Sequence, residues 1–280
     1  MKRTTALWAS GTALLGVGAV FFQRRARFEQ TVSQAVRDLQ EGARSNQEGR
    51  YSRAELDGLP APVQRYFEHV LTDGQPYLET AQLRQRGEFK LGDAPDSWHP
   101  LVATQHVSTT PPGFVWDAHI DLFPFVSARV LDTYHAGEGR LEASVLSAVP
   151  VAEAGPSPEM NEGELLRYLA ESVWVPTALL PSAGVEWEAI DDQTARATIE
   201  DAGNSASLVF SFDDADEIER VHTDRRYRQE TASSQPWTGY FDSYRLEDGL
   251  RIPTEATVEW NAPDGDEPYW RARIEEIEYT

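Results

Sequence analysis

After Gly74 the apolar residues of this chain recur at every second position, and that period governs what it can fold into. Phe114, Trp116, Ala118, Ile120 and Leu122 fall on one face of a strand, with Val115, Asp117, His119 and Asp121 on the other. Leu141, Ala143 and Val145 alternate with Arg140, Glu142 and Ser144, and Ala206, Leu208, Phe210 and Phe212 with Ser205, Ser207 and Ser211. Ala256, Val258 and Trp260 do the same against Glu255 and Glu259. Such strands are buried on one side and wet on the other, which implies antiparallel pairing rather than βαβ units. Turn sequences separate them, among them Gly137-Glu138-Gly139, Asp201-Ala202-Gly203-Asn204, Asp213-Asp214-Ala215-Asp216 and Asp248-Gly249. Counting runs between turns gives about twelve strands.

Two segments keep a helical period instead. Residues 60–73 place Val63, Phe67, Val70 and Leu71 on one face, with prolines near the start. Residues 161–175 begin behind Asn161 as N-cap, stop at Val175-Pro176, and carry Leu165, Leu166, Leu169, Val173 and Trp174 as an apolar stripe. Twelve strands at ~4.8 Å make a sheet nearly ~60 Å wide, whereas a helix covers roughly 10 Å. Two helices cannot cover so wide an apolar face if it stays flat. The expected fold is therefore mainly β (α+β): a large curled antiparallel sheet, half-barrel or barrel, with one long plugging helix, or else a sandwich. A curled sheet can enclose an apolar cavity or pack solid, and the sequence leaves both open.

The amino terminus is different in kind. Ala6 to Phe22 is a run of 17 uncharged residues between Lys2-Arg3 and Arg24-Arg25-Arg27. Its length sits at the short end for a membrane span and also fits a cleaved signal, but the run ends in Phe21-Phe22-Gln23, with no small-x-small site directly before the arginines. An uncleaved transmembrane helix over residues 1–23 is the expectation. Basic residues nearly balance across it and leave its direction open, the extracytoplasmic side being favoured for the β-domain. Residues 24–58 read as a helical stalk and linker, and residues 59–280 as the β-domain.

Composition narrows the function. The chain has 46 acidic and 25 basic residues, a formal charge of −21, which argues against nucleic acid as a partner. Only Lys2 and Lys90 are lysines; carboxylates with arginine suit high salt, although a GC-rich genome has the same effect. There is no cysteine, hence no disulfide and no thiolate chemistry. No Walker loop, HExxH, GxSxG or CxxC occurs, so no cofactor or metal is expected and no catalytic residue is assigned. The inner face reads as almost free of acids, which puts the charge outside and the function on the apolar side.

Arg167 and Glu171, at i and i+4, either pair on the helix surface or join Tyr168 and Trp174 in the mouth of a cavity. Arg225-Arg226-Tyr227-Arg228 is a strongly basic patch that suits a carboxylate or anionic head group, or neutralises acidic neighbours. With the aromatics, the ligand-binding candidates are Trp116, Arg167, Tyr168, Glu171, Trp174, Arg226 and Trp237. His119 with Asp117 and Asp121 has the spacing for a general base or metal on a strand, but a solvated strand face explains it better.

Several strings resemble an uncharacterised prokaryotic family, DUF6544, formerly DUF6920. They are Leu59-Pro60-x-Pro62-Val63-x-Arg65-Tyr66, Pro111-Pro112-Gly113-Phe114-Val115-Trp116, Gly163-Glu164-Leu165-x-Arg167-Tyr168-Leu169-Ala170-Glu171 with Trp174, and Pro236-Trp237-x-Gly239-Tyr240. The resemblance covers roughly residues 59–280 and implies a membrane-associated protein without assigned catalytic residues. The inferred sheet and plug also look like the LolA/LolB-like lipoprotein carriers, which bind acyl chains, although this chain lacks a lipobox cysteine. The function expected is a membrane-tethered domain that binds an apolar or amphipathic ligand such as a lipid. A protein-interaction scaffold with a solid core is the alternative, and an enzyme using Asp117, His119 and Arg226 a second one.

Overall fold

The computed structural model describes residues 4–43, 49–92, 94 and 97–280, with side chains from residue 19 onward. Helix α1 (Thr4–Gly42) and the short helix α2 (Ala61–Val70) lead into six strands: β1 (Thr80–Lys90), β2 (Trp98–Ser108), β3 (Gly113–Phe123), β4 (Val126–His135), β5 (Glu138–Val145) and β6 (Val149–Ala154). Helix α3 (Pro158–Glu171) and three 3-10 turns follow. The second run comprises β7 (Val185–Ala189), β8 (Thr194–Asp201), β9 (Asn204–Phe212), β10 (Ile218–Arg228), β11 (Ser233–Asp242), β12 (Arg245–Glu247), β13 (Leu250–Ile252), β14 (Glu255–Ala262) and β15 (Gly265–Tyr279). Thirteen strands form one sheet in the order β6-β5-β4-β3-β2-β1-β15-β14-β11-β10-β9-β8-β7, while β12 and β13 make a separate hairpin.

The curl follows from what α3 touches. It lies against β3, β4 and β5 and also against β9 and β10. In sheet order β5 and β9 are nine steps apart, about 43 Å on a flat sheet and several times a helix diameter. One helix reaches both only because the sheet wraps around it. The result is an open half-barrel, since β6 and β7 remain unpaired edges. Its rim is stitched across the gap: Tyr134 Oη donates to Asp201 Oδ2 (2.8 Å), and Asn204 Nδ2 to the Gly137 carbonyl (2.8 Å).

The α3 helix starts four residues earlier than Asn161 would place it. Ser157 is the N-cap, accepting from Met160 N–H, and Pro158 opens the first turn, where its missing N–H costs nothing. Asn161 serves another purpose, accepting from Gly139 N–H (2.9 Å) and so tying the helix to β5. Leu165, Leu169, Val173, Leu179 and Leu180 are fully buried in a core shared with Leu83, Phe114, Leu208 and Phe210. The α2 helix closes one flank through Tyr66 and Phe67, whose rings meet Phe212 and Trp187.

The convex face is not wet throughout, as the alternation had implied. Val115 and Leu131 point outward yet are buried, because α1 lays Phe28, Val32 and Leu39 over them. The Arg129 side chain beneath the helix is held by Asp117 (2.7 and 2.8 Å) and by Glu29 of α1 (2.6 Å), and stacks on Phe28. The segment read as a stalk thus lies along the sheet. Among the described residues no helix is long and apolar enough to cross a membrane. The run Ala6–Phe22 lies mostly outside the residues whose side chains are described.

Candidate functional site

The interior of the half-barrel carries more acid than the almost acid-free face expected. Three adjacent strands place polar groups at inward positions of one rung: Gln105 faces Trp116, and Trp116 faces Asp132. Gln85 sits beside them on β1. Across from this rung, Glu164, Arg167 and Glu171 occupy i, i+3 and i+7 of α3, a single helical face.

These side chains are linked in a chain of hydrogen bonds. Trp116 Nε1 donates to Gln85 Oε1 (2.8 Å), Gln85 Nε2 to Gln105 Oε1 (2.8 Å), and Gln105 Nε2 to Glu171 Oε2 (2.5 Å). Arg167 donates through Nε to Glu171 (2.8 Å) and through Nη1 to Asp132 (2.5 Å). Its guanidinium carbon lies 4.8 Å from the centre of the Phe114 ring and 4.9 Å from that of Trp116, so aromatic faces complete the cage. The neighbouring carboxylates hold Arg167 in its charged form despite burial.

Glu164 completes the cluster without joining the chain. Gly139 makes room for it, since a Cβ there would stand 2.9 Å from Glu164 Cγ. Burial, reinforced by the nearby Asp132 charge, pushes the Glu164 carboxyl up to about 8, so it is protonated at neutral pH. Desolvation raises Asp132 as well, against the pull of Arg167.

A second group faces this one. The β10–β11 register pairs Thr223 with Trp237 and then Arg226 with Gln235, so a bulge breaks the alternation. It turns Arg226, and not Arg225, over the inward ring of Trp237, 4.7 Å from its centre, with Trp260 5.8 Å away. Trp237 and Trp260 are register partners, and Tyr269 joins them by accepting from Trp237 Nε1 (2.9 Å) and stacking on Trp260. Arg228 stacks on Trp260 too but is neutralised by Glu267 (2.7 Å). Arg226 has no ion pair among the described residues, although its charge is felt at Asp132 and Glu164.

Of these two groups, Arg226 lines a cavity beside α3. Strands β9 and β10 pair only from Phe212–Val209 to Ile218–His222, and beyond His222 they part. The cavity, of ≈ 360 Å³, is walled by Glu159, Glu162 and Leu166 of α3 and by Arg225, Arg226 and Ser233 of the β10–β11 hairpin. The wall is mixed in charge, acidic along the helix and basic along the strand.

Of the seven sequence candidates, Trp116, Arg167, Glu171, Arg226 and Trp237 belong to these two groups. Arg167 and Glu171 do not form a surface pair, since both side chains are less than one-fifth exposed. Tyr168 and Trp174 lie apart, buried in the core, with Tyr168 Oη near the Thr109 carbonyl (3.4 Å) and Trp174 Nε1 donating to that of Pro253 (3.1 Å). Sequence reasoning missed Gln85, Gln105, Asp132, Glu164, Trp260 and Tyr269. The available signal was a polar residue in an apolar phase, such as Gln105 between Ala103 and Val107. Asp117 and His119 lie on the convex side, where Asp117 is occupied by Arg129 and burial lowers the His119 imidazole, so they share no cleft with Arg226. Among the described residues no three histidines or carboxylates are grouped to hold a metal ion.

Comparison with known proteins gives a family without a function. No curated protein matches the chain. Among solved structures it is similar to the LolA superfamily protein NE2245 from Nitrosomonas europaea (11% identity, 80% of this chain and 94% of that one, TM-score 0.45). It also overlaps a beta-barrel-like DUF1849 protein from Brucella abortus (8% identity, 73% and 99%, TM-score 0.22) and a porin-like protein from Bacteroides uniformis (10% identity, 72% and 96%, TM-score 0.23). Superpositions this loose leave ligand and activity to be argued from the chain's own geometry. The model of the family of unknown function DUF6920 matches residues 57–279, and the chain therefore belongs to that family.

Proposed function

We propose that this protein is a membrane-tethered binding domain that takes the anionic head of an amphipathic, lipid-like molecule against Arg226. One observation carries the reading: in a chain of net charge −21, Arg226 lines a cavity with no carboxylate partner among the described residues and with its flat face spread on Trp237. Arg167 engages Asp132 and Glu171, and Glu164 is protonated at neutral pH, so none of the three neutralises Arg226 directly. A guanidinium edge fits a carboxylate or phosphate, and Ser233 and Ser234 add hydroxyls to the same wall. Leu166 and Tyr227 offer apolar surface to the start of an acyl chain. The uncharged run Ala6–Phe22 supplies the tether, with the β-domain outside the cytoplasm.

Delipidated full-length protein should take up a fluorescent fatty acid saturably, and native mass spectrometry should detect a copurified amphiphile. Arg226→Gln should weaken uptake about tenfold, the equivalent of ~1.4 kcal/mol for a charged hydrogen bond. Unsaturable uptake with no copurified lipid overturns the reading. A solid interaction module is the second reading, favoured by the complete filling around Leu165, Leu169 and Val173. It predicts an empty cavity and a protein partner on the acidic convex face.

A further inference from the structure

The β3–β4 hairpin tip, Phe123-Pro124-Phe125, presents two large aromatic side chains to solvent, with Phe125 wholly exposed and Phe123 at 70%. Phe125 also holds φ = 66°, a left-handed conformation that a residue with a Cβ adopts at a cost and that turns normally give to glycine or asparagine.

Helix α1 leads to the same place. Its Leu39 packs at Gly113, the start of β3, and Phe28 stacks on Arg129, whose register partner is His119. Traced toward its N-terminus, the helix therefore climbs β3 toward the tip. His119 to Phe123 is about 13 Å of strand, which about nine residues of helix cover, bringing Ala19 level with the tip. Val20 and Phe22 are exposed there. The β5–β6 turn is held at the same end by Leu146 N–H to the Ser127 carbonyl (2.8 Å), and Val149 beside it is exposed as well. Arg24, Arg25 and Arg27 are exposed and form no ion pair among the described residues, three free cations in a chain of net charge −21.

We propose that this end of the sheet rests on a lipid bilayer, with Phe123 and Phe125 inserted at the interface and the three arginines on anionic head groups. The inference builds on the tether proposed above. Exposed Phe side chains gain by burial at the headgroup–acyl boundary, and basic residues are drawn to an anionic leaflet. The helix that runs past the tip carries the uncharged run Ala6–Phe22, which points to a bilayer rather than a second copy.

Because the chain has no cysteine, Phe125→Cys gives a single attachment point for an environment-sensitive dye, and Phe123→Cys a second. Full-length protein is reconstituted with vesicles of equimolar phosphatidylcholine and phosphatidylglycerol. The tip labels should shift to the blue and be quenched by an acyl-chain nitroxide, while a label at Leu246→Cys, exposed on β12, should do neither. If the protein floats with the vesicles but the tip labels emit as in water, the tip proposal is overturned and the tether stands. A blue shift without lipid quenching means that another protein surface covers the tip, which also overturns it. Protein that fails to float at all removes the tether and the tip proposal with it.

Discussion

The two faces of α3 are both buried, but by opposite means. Leu165 and Leu169 sit in a continuous apolar cluster with Leu208 and Phe210 of β9. Glu164, Arg167 and Glu171 meet Asp132, Gln105 and Trp116 through charges and hydrogen bonds. Apolar burial is non-directional and would hold a helix in a trough at several rotations. Hydrogen bonds at fixed positions select one of them, and a half-satisfied network penalises the others. The apolar face holds the helix, then, while the polar face sets its angle and poises charge near the cavity.

This contrast can be broken most directly at Arg167. Arg167→Met leaves Asp132 and Glu171 buried without a counter-charge and should cost about 3–5 kcal/mol in denaturant-induced unfolding. A loss below about 1 kcal/mol would mean that the network is solvated and the contrast is lost. On the opposite face, Leu169→Ala should cost about 3 kcal/mol through transfer and cavity terms. That loss should be nearly independent of pH.

Glu164 sharpens the comparison through pH. Unfolded, the carboxyl releases its proton near the ordinary 4.5; folded, it keeps it up to about 8. The native state alone holds the extra proton across that window, so stability falls as pH rises through it, by up to ~1.4 kcal/mol per unit. Glu164→Gln removes this ionisation and should flatten the slope, gaining on the parent protein as pH approaches 8. Equal slopes in the two proteins would show that Glu164 titrates normally. Smaller again, Arg226→Gln should change stability by about 1 kcal/mol, the worth of its contacts with the indole faces, whatever it does to ligand uptake. Arg84→Gln, which removes a convex-face pair more than half exposed on both sides, should stay within about 0.5 kcal/mol.

Much of the architecture could be read from the sequence because an antiparallel sheet writes its two faces at alternate positions, and because a flat sheet of that width could not be covered. The charged interior could not be read in the same way. Period two assigns Asp132 to a face only through its neighbours Val130 and Tyr134, and a lone acid in that phase looks like noise. Arg226 could be named only as part of the run Arg225–Arg228, since the bulge after Thr223, and not the alternation, turns it rather than Arg225 inward. Asn161 misled because it stands three residues before Glu164, as an N-cap does before its glutamate, while Ser157-Pro158 held the true start. The docking of α1 rests on Val115 and Leu131, two outward residues on different strands that no single-strand pattern connects.

The open half-barrel leaves β6 and β7 with unpaired backbone edges, and such edges can template strand addition between copies. On β6 the edge reads Val149-Pro150-Val151-Ala152-Glu153, where Pro150 supplies no N–H and so interrupts a docking ladder. On β7, Glu186 and Glu188 put like charges on any copy that approached along the same edge. A sheet that stays open to admit α3 thus carries an imino acid on one free edge and two carboxylates on the other, each opposing strand addition.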